Sequence, residues 1–149
     1  MIEIIVPGKP RGKGRPRFGA GHAYTPASTR RYEHEIAVEA RRAVASCPDW
    51  DKSVAMWVYV IATLPVPKSW SGLKRAKAED GCLFPMTKPD IDNIAKAALD
   101  AINGIVFDDD KQVVKLEASK AYCARSATNP LLRDGYLQVI AIKAQGGEA

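Results

Sequence analysis

At 149 residues the chain has room for one domain with a real hydrophobic core and little more. Apolar residues make up 46% and charged residues 26%, which excludes a disordered or fibrous chain, and no apolar run approaches the roughly 20 residues of a membrane span. The formal net charge of +5 is modest, so grouping of the cations, more than their number, would favour a polyanionic partner.

The opening Met1-Ile2-Glu3-Ile4-Ile5-Val6 runs straight into Pro7-Gly8, so it reads as a short strand over 2–6 and not as a secretory signal. Residues 8–24 are rich in glycine, proline and arginine and predict a loop or arm. Thr25-Pro26 predicts a helix start, with Thr25 as cap and Pro26 at the first helical position. Tyr32, Ile36, Ala40 and Val44 share one face of that helix, which Cys47-Pro48 stops. Residues 53–62 form a continuous apolar run, predicted to be a strand buried on both faces. Residues 64–88 are a long connection with a possible short helix near 70–79, the kind of segment that is usually functional or mobile.

Residues 91–102 predict an amphipathic helix, with Ile91, Ile94, Ala95, Ala98, Leu99 and Ile102 inward and Asp92, Lys96, Asp100 and Asn103 outward; Asn103-Gly104 ends it. The alternation in 112–122 predicts a half-buried strand, and 136–143 a last strand before a loose tail at 144–149. No repeat or second domain is visible, and the order of elements is not a regular βαβ array. The expected fold is a single α+β domain, 1–149, with a mixed sheet and two main helices. Cys47, Cys82 and Cys123 lack zinc or redox spacing and read as free thiols in a reducing cytoplasm. His22 and His34 form no ligand pair.

Two features carry chemistry. The first is acidic. Asp90 and Asp92 flank the start of the 91–102 helix, with Lys96 one turn later on the same face as Asp92. Asp108-Asp109-Asp110 follows after the turn, and a chain reversal at Asn103-Gly104 is expected to bring the triplet back beside Asp90 and Asp92. An all-oxygen ligand set suits a hard cation, magnesium or manganese, and such sites perform in-line displacement at phosphorus. The plainer readings are that Asp90 merely caps the helix, that Asp92 and Lys96 are a surface ion pair, and that the triplet is a solvated turn.

The second feature is basic. Lys9, Arg11, Lys13, Arg15 and Arg17 alternate with small or rigid residues, so that an extended arm would present them along one face. Between Lys9 and Arg31 there is no acidic residue. Guanidinium groups match phosphate in a forked geometry, which points to backbone contact; the plainer reading is a solvated loop. Lys68, Lys74, Arg75 and Lys77 near Trp70 would extend the surface, with Trp70 either stacking on a base or anchoring its own loop.

The run Lys-Pro-Asp-Ile-Asp-Asn-Ile-Ala-Lys at 88–96, the later Phe-Asp-Asp-Asp-Lys-Gln-Val-Val and the N-terminal Pro-Gly-Lys-Pro-Arg-Gly-Lys-Gly-Arg-Pro-Arg-Phe resemble the RusA family of Holliday-junction resolvases, especially its phage and prophage members. The resemblance covers residues 2–122 and implies a RusA-like homodimer that binds four-way DNA junctions. It would nick them in pairs with Mg2+ or Mn2+, in DNA recombination and repair. It implies catalytic and metal-binding roles for Asp90, Asp92 and Asp110, with Asp109 as the alternative register, a functional lysine at Lys96, and DNA contacts from the arm and Lys88. A nuclease for flaps or forks, a catalytically idle DNA-binding protein and a metal-dependent enzyme on small nucleotides are the competing readings; only the last has no use for the arm.

Overall fold

The computed structural model describes residues 1–15, 17–19, 21–124, 129 and 132–144. A four-stranded mixed sheet is built from β1 (Ile2–Pro7), β4 (Met56–Leu64), β5 (Val113–Tyr122) and β6 (Tyr136–Lys143), in the order β1-β6-β4-β5. β6 pairs antiparallel with β1 and β4, while β4 and β5 are parallel. A parallel pair needs a crossover, and the long connection after β4 supplies it. It holds α2 (Gly72–Glu79) and α3 (Ile91–Ile102). A helix α1 (Ala27–Ala45) packs on β1 and on α3, and α3 lies over β4 and β5.

Alternation along the strands makes one face of the sheet the core. Ile2, Ile4 and Val6 of β1, Met56, Val58, Val60 and Ala62 of β4, and Leu137, Val139 and Ala141 of β6 are buried under α1 and α3. Tyr32, Ile36 and Ala40 of α1 and Ile94, Ala98 and Ile102 of α3 fill the space between the layers, with Val106 and Phe107 closing the end beyond α3.

Several expectations need correction. The arm is not all loop: β2 (Arg17–Gly19) and β3 (His22–Tyr24) form a short antiparallel hairpin within it. Thr25 does not cap α1; Pro26 takes the capping position, with no side-chain hydrogen bond. Along Met56–Ala62, β4 is buried on its helix face only: Trp57, Tyr59 and Ile61 on the other face are half-buried, and that face is buried only at Thr63 near the strand's end. β5 is an edge strand and not half-buried: Val114 is 62% and Leu116 44% exposed. All three cysteines are free thiols. Among the described residues no helix is long and apolar enough to cross a membrane. Most of the predicted loose tail, 145–149, lies outside the described residues.

Candidate active site

The site begins where α3 begins. Asp90 holds the capping position in extended backbone geometry, and its carbonyl accepts the Ile94 N–H at 3.1 Å, yet its carboxylate makes no capping hydrogen bond. Asp92 in the first turn and Lys96 one turn on are exposed. Among the described residues, Asp90, Asp92 and Lys96 enter no ion pair and no side-chain hydrogen bond, so neither the capping role nor the Asp92–Lys96 pair accounts for them. Their backbone is fixed all the same. Ile94, Ala95, Ala97, Ala98, Ala101 and Ile102 bury the opposite face of α3. The Lys120 ammonium, from β5, donates to the carbonyls of Thr87 at 2.9 Å and Pro89 at 3.1 Å, on either side of the cis Lys88–Pro89 peptide. Ile91, expected to point inward, is 38% exposed at the first helical position.

The arm docks against this helix start. The Lys13 N–H donates to the Asn93 carbonyl at 2.8 Å and the Gly14 N–H to Thr29 Oγ1 at 3.1 Å. The approach is close because Gly12 and Gly14 carry no side chain. A Cβ on Gly12 would lie 3.0 Å from Asn93 Cβ and 3.2 Å from Pro89 Cβ, and one on Gly14 only 2.8 Å from Thr29 Oγ1. Lys9, Arg11, Lys13 and Arg15 thereby line one cleft of about 770 Å³ together with Lys88 and Asp90. Beneath it, burial pushes the Tyr32 hydroxyl up to about 12, against the opposing effect of the Arg11 backbone beside it.

The five expected cations are not equivalent. Lys9, Arg11 and Arg15 are exposed, as is Lys88. Lys13 instead pairs with Asp100 of α3 and, at 3.5 Å, with Glu33 of α1. Burial works against its charge, but the Asp100 hydrogen bond and both carboxylates hold its pKa above the ordinary value. It therefore clamps the arm and is not free for a ligand. The Arg17 side chain and Pro16 lie outside the described residues. Gly12→Ala is expected to lift the arm off Pro89 and Asn93 and to lower DNA-junction affinity about tenfold, equivalent to about 1.4 kcal/mol. A binding titration checks this, with the melting temperature as control for the fold.

The triplet is divided among three tasks. Asp108 pairs with Lys52 at 2.9 Å. Asp109 caps the single 3-10 turn Asp110–Gln112: its carboxylate accepts the Lys111 N–H at 3.0 Å while the Gln112 side chain accepts the Asp109 N–H at 2.8 Å. That backbone hydrogen bond holds the Asp109 carboxyl below its usual value. Gln112 also donates to the carbonyls of Lys52 and Val54, which ties the turn to the start of β4. Asp110 is exposed and enters no ion pair among the described residues.

The expected convergence of the triplet with Asp90 and Asp92 does not occur within one chain. After the turn that follows α3 it is β5, not the triplet, that returns along the helix. Lys120, near the end of β5, reaches Pro89, whereas Asp110 sits before its beginning. Among the described residues no group of three or more acidic, His or Cys side chains is placed to share a metal ion. The carboxylates of Asp90 and Asp92 alone are a donor pair of the kind magnesium uses, since that ion is commonly held by one or two carboxylates, waters and substrate phosphate.

Trp70 is held as an anchor, with the Lys74 ammonium 4.0 Å from its ring centre and Tyr122 edge-on at 5.4 Å.

A family model, Endodeoxyribonuclease RusA, matches residues 7–129. The chain belongs to the RusA family. It is also 35% identical over 141 residues to the uncharacterized protein YqaN of Bacillus subtilis (strain 168), a match spanning 89% of this chain and 96% of that protein. Membership in the RusA family implies endodeoxyribonuclease activity, binding of branched DNA and action on Holliday junctions. The family read from the 88–96 run and the expected α+β fold both stand.

Sequence reasoning missed the parts of this RusA-family site that support it: Lys120, Gly12, Gly14 and the Asn93 carbonyl. None of these had a local signal; the capping role of Asp109, missed as well, did. Asp109-Asp110-Lys111-Gln112 has the spacing of a capping box, which marks Asp109 as a cap.

Proposed function

We propose that this chain is a magnesium- or manganese-dependent Holliday-junction resolvase that acts as a homodimer and makes paired, symmetric nicks in DNA recombination and repair, within the reducing cytoplasm that keeps its cysteines as thiols. One observation carries the reading: carboxylates that enter no ion pair or side-chain hydrogen bond among the described residues stand at the start of α3, in and beside a cleft lined by the cations of the arm. A cleft of that kind attracts a phosphate backbone while leaving acids for a cation.

In this reading Lys9, Arg11, Arg15 and Lys88 hold the backbone, with Arg17 extending the arm, and Lys13 sets the arm's position. Asp90 and Asp92 would hold the ion, and Asp110 is the third acidic residue of the set. When bound, the ion supplies positive charge and a more acidic water for phosphodiester hydrolysis. Lys96, one turn from Asp92 and in no ion pair among the described residues, neutralises charge that develops on the phosphate. In the hydrolysis the water oxygen joins phosphorus, the bond from phosphorus to the leaving oxygen breaks, and a proton ends on that oxygen, leaving ends that a ligase can seal.

The test is cleavage of a labelled four-way junction, alongside linear duplex and a flap, with magnesium and with chelator. Paired nicks in the junction that need the metal support resolution; equal cutting of the flap turns the reading to a general branched-DNA nuclease, and binding without cutting to an idle binding protein. Arg11→Ala with Arg15→Ala is expected to weaken binding and flatten its salt dependence by roughly two phosphate contacts, a drop of about 1.8 in the slope of log affinity against log salt. An unchanged slope would falsify contact between the arm and phosphate. Lys96→Ala is expected to lower cleavage roughly a hundredfold or more, with binding nearly unchanged; equal losses in both measurements would overturn the role assigned to Lys96.

A further inference from the structure

We infer that the β2–β3 hairpin recognises the branch point itself: the Phe18 ring stacks on a base left uncovered where the arms of a junction part, and this contact separates branched DNA from plain duplex. The inference rests on the resolvase reading for the identity of the ligand, and goes beyond it in naming the residue that senses the branch.

The first observation is the ring. Phe18 is 86% exposed, although phenylalanine is among the residues most often buried. β2 and β3 pair with each other and with no strand of the main sheet, and neither packs extensively on a helix. The register sets Phe18 opposite Ala23 and Arg17 opposite Tyr24, so Phe18 and Tyr24 project from opposite faces of the ribbon. Tyr24, 44% exposed, stands at the foot of the hairpin just before α1, while Phe18 is turned to solvent.

The second observation is how the hairpin is mounted. The Gly14 N–H is held by Thr29 Oγ1, and a Cβ on Gly14 would lie 3.4 Å from Pro26 Cγ. The chain thus leaves the body at Gly14 and returns to it at Pro26, and the hairpin stands on that closed base. Gly21, between the strands, has a φ of +81°, which glycine adopts without strain.

The third observation is the charge around the ring. No acidic residue lies between Lys9 and Arg31. Arg15 lines the cationic cleft, and Phe18 follows three residues later, within about 11 Å of chain. The major groove of a duplex is about 8.5 Å deep. A ring on that tether reaches the level of the bases while Arg15 remains on phosphate. A second copy of the chain is a poor occupant, since it would set Arg15, Arg30 and Arg31 against their like.

The chemistry of the two DNA forms supplies the selectivity. In a continuous duplex each base face is covered by the next, so a ring enters only by prising two pairs apart. Where the arms of a junction part, the stack is already interrupted and that penalty falls away. Stacking on an aromatic ring accepts any base, so the contact selects a structure and not a sequence.

Three measurements in chelator, where binding is separated from cutting, decide it. Phe18→Ala should bind a four-way junction about tenfold more weakly, a loss of about 1.4 kcal/mol, and a linear duplex within about twofold of wild type. Its melting temperature should not change, because the ring is exposed. In a junction carrying 2-aminopurine at the crossover, wild type should alter the emission and Phe18→Ala should not; the same probe in the middle of an arm should respond to neither. Light scattering without DNA should give wild type and Phe18→Ala the same mass. Equal losses on junction and duplex, no loss on either, or an equal response of the crossover probe to both proteins overturns the inference. A mass that falls in Phe18→Ala overturns it too, by assigning the ring to contact between copies. If wild type binds junction and duplex alike, it is the resolvase reading that fails, and 2-aminopurine in a single strand, compared between wild type and Phe18→Ala, still decides whether the ring stacks on bases.

Discussion

Asp92→Asn is expected to lower junction cleavage roughly a thousandfold while changing junction affinity by less than about threefold, in line with losses seen when one group serving the transition state is removed. The substitution keeps the size of the side chain and removes only its charge. Asp92 is exposed and carries no ion pair among the described residues, so the fold loses nothing that would confuse the measurement. Surface changes of this kind usually alter stability by no more than about 0.5 kcal/mol. Affinity should hold, or rise slightly, because removing a negative charge beside the cation-lined cleft reduces repulsion of phosphate. Rates under single-turnover conditions, with binding measured separately in chelator, check both halves. Near-normal cutting would place the nuclease chemistry elsewhere on the molecule.

Phe107→Ala should reduce stability by about 3–5 kcal/mol, the range for removing a buried aromatic side chain. Phe107 is fully buried in the cluster formed with Ile102 and Val106, at the end of the core where α3 hands over to the acidic turn. For a chain of this size that loss corresponds to a fall of roughly 10 °C or more in melting temperature. Its position makes it informative about function as well. It stands immediately before Asp108, so the cavity would loosen the turn that presents Asp110. Thermal unfolding gives the first number, and cleavage measured well below the new melting temperature gives the second, with a larger loss of cutting than of binding expected. A change in melting temperature of less than a few degrees would show that the surrounding side chains collapse into the space.

Much of this arrangement was legible in the residues. The period of α3, the short strand at 2–6, the last strand at 136–143 and the acidic and basic segments are local patterns, and local patterns survive folding. What was not legible depended on partners distant in the chain. Nothing around Lys13 announces that Asp100 and Glu33 will take its charge, and nothing around Lys120 announces the carbonyls of Thr87 and Pro89. The alternation in β5 is that of a half-buried strand, but burial also requires something to lie on top, and α3 leaves Val114 and Leu116 uncovered. The placement of the triplet failed for a geometric reason. A helix rises about 1.5 Å per residue and a strand about 3.3 Å, so the strand after the turn travels the length of α3 before it draws level with Asp90.

The docking of Gly12, Lys13 and Gly14 onto α3 and α1 has a thermodynamic consequence. An unattached basic arm would have to surrender its backbone freedom when a duplex arrives, at about 1–2 kcal/mol for each residue fixed. Here hydrogen bonds to Asn93 and Thr29 and the clamp on Lys13 have already fixed that stretch during folding. Arg11 and Arg15 flank a preorganised backbone, and only their side-chain torsions remain to be ordered. The nucleic acid therefore meets a preformed electrostatic surface, and the entropy of assembling it is charged to folding and not to binding.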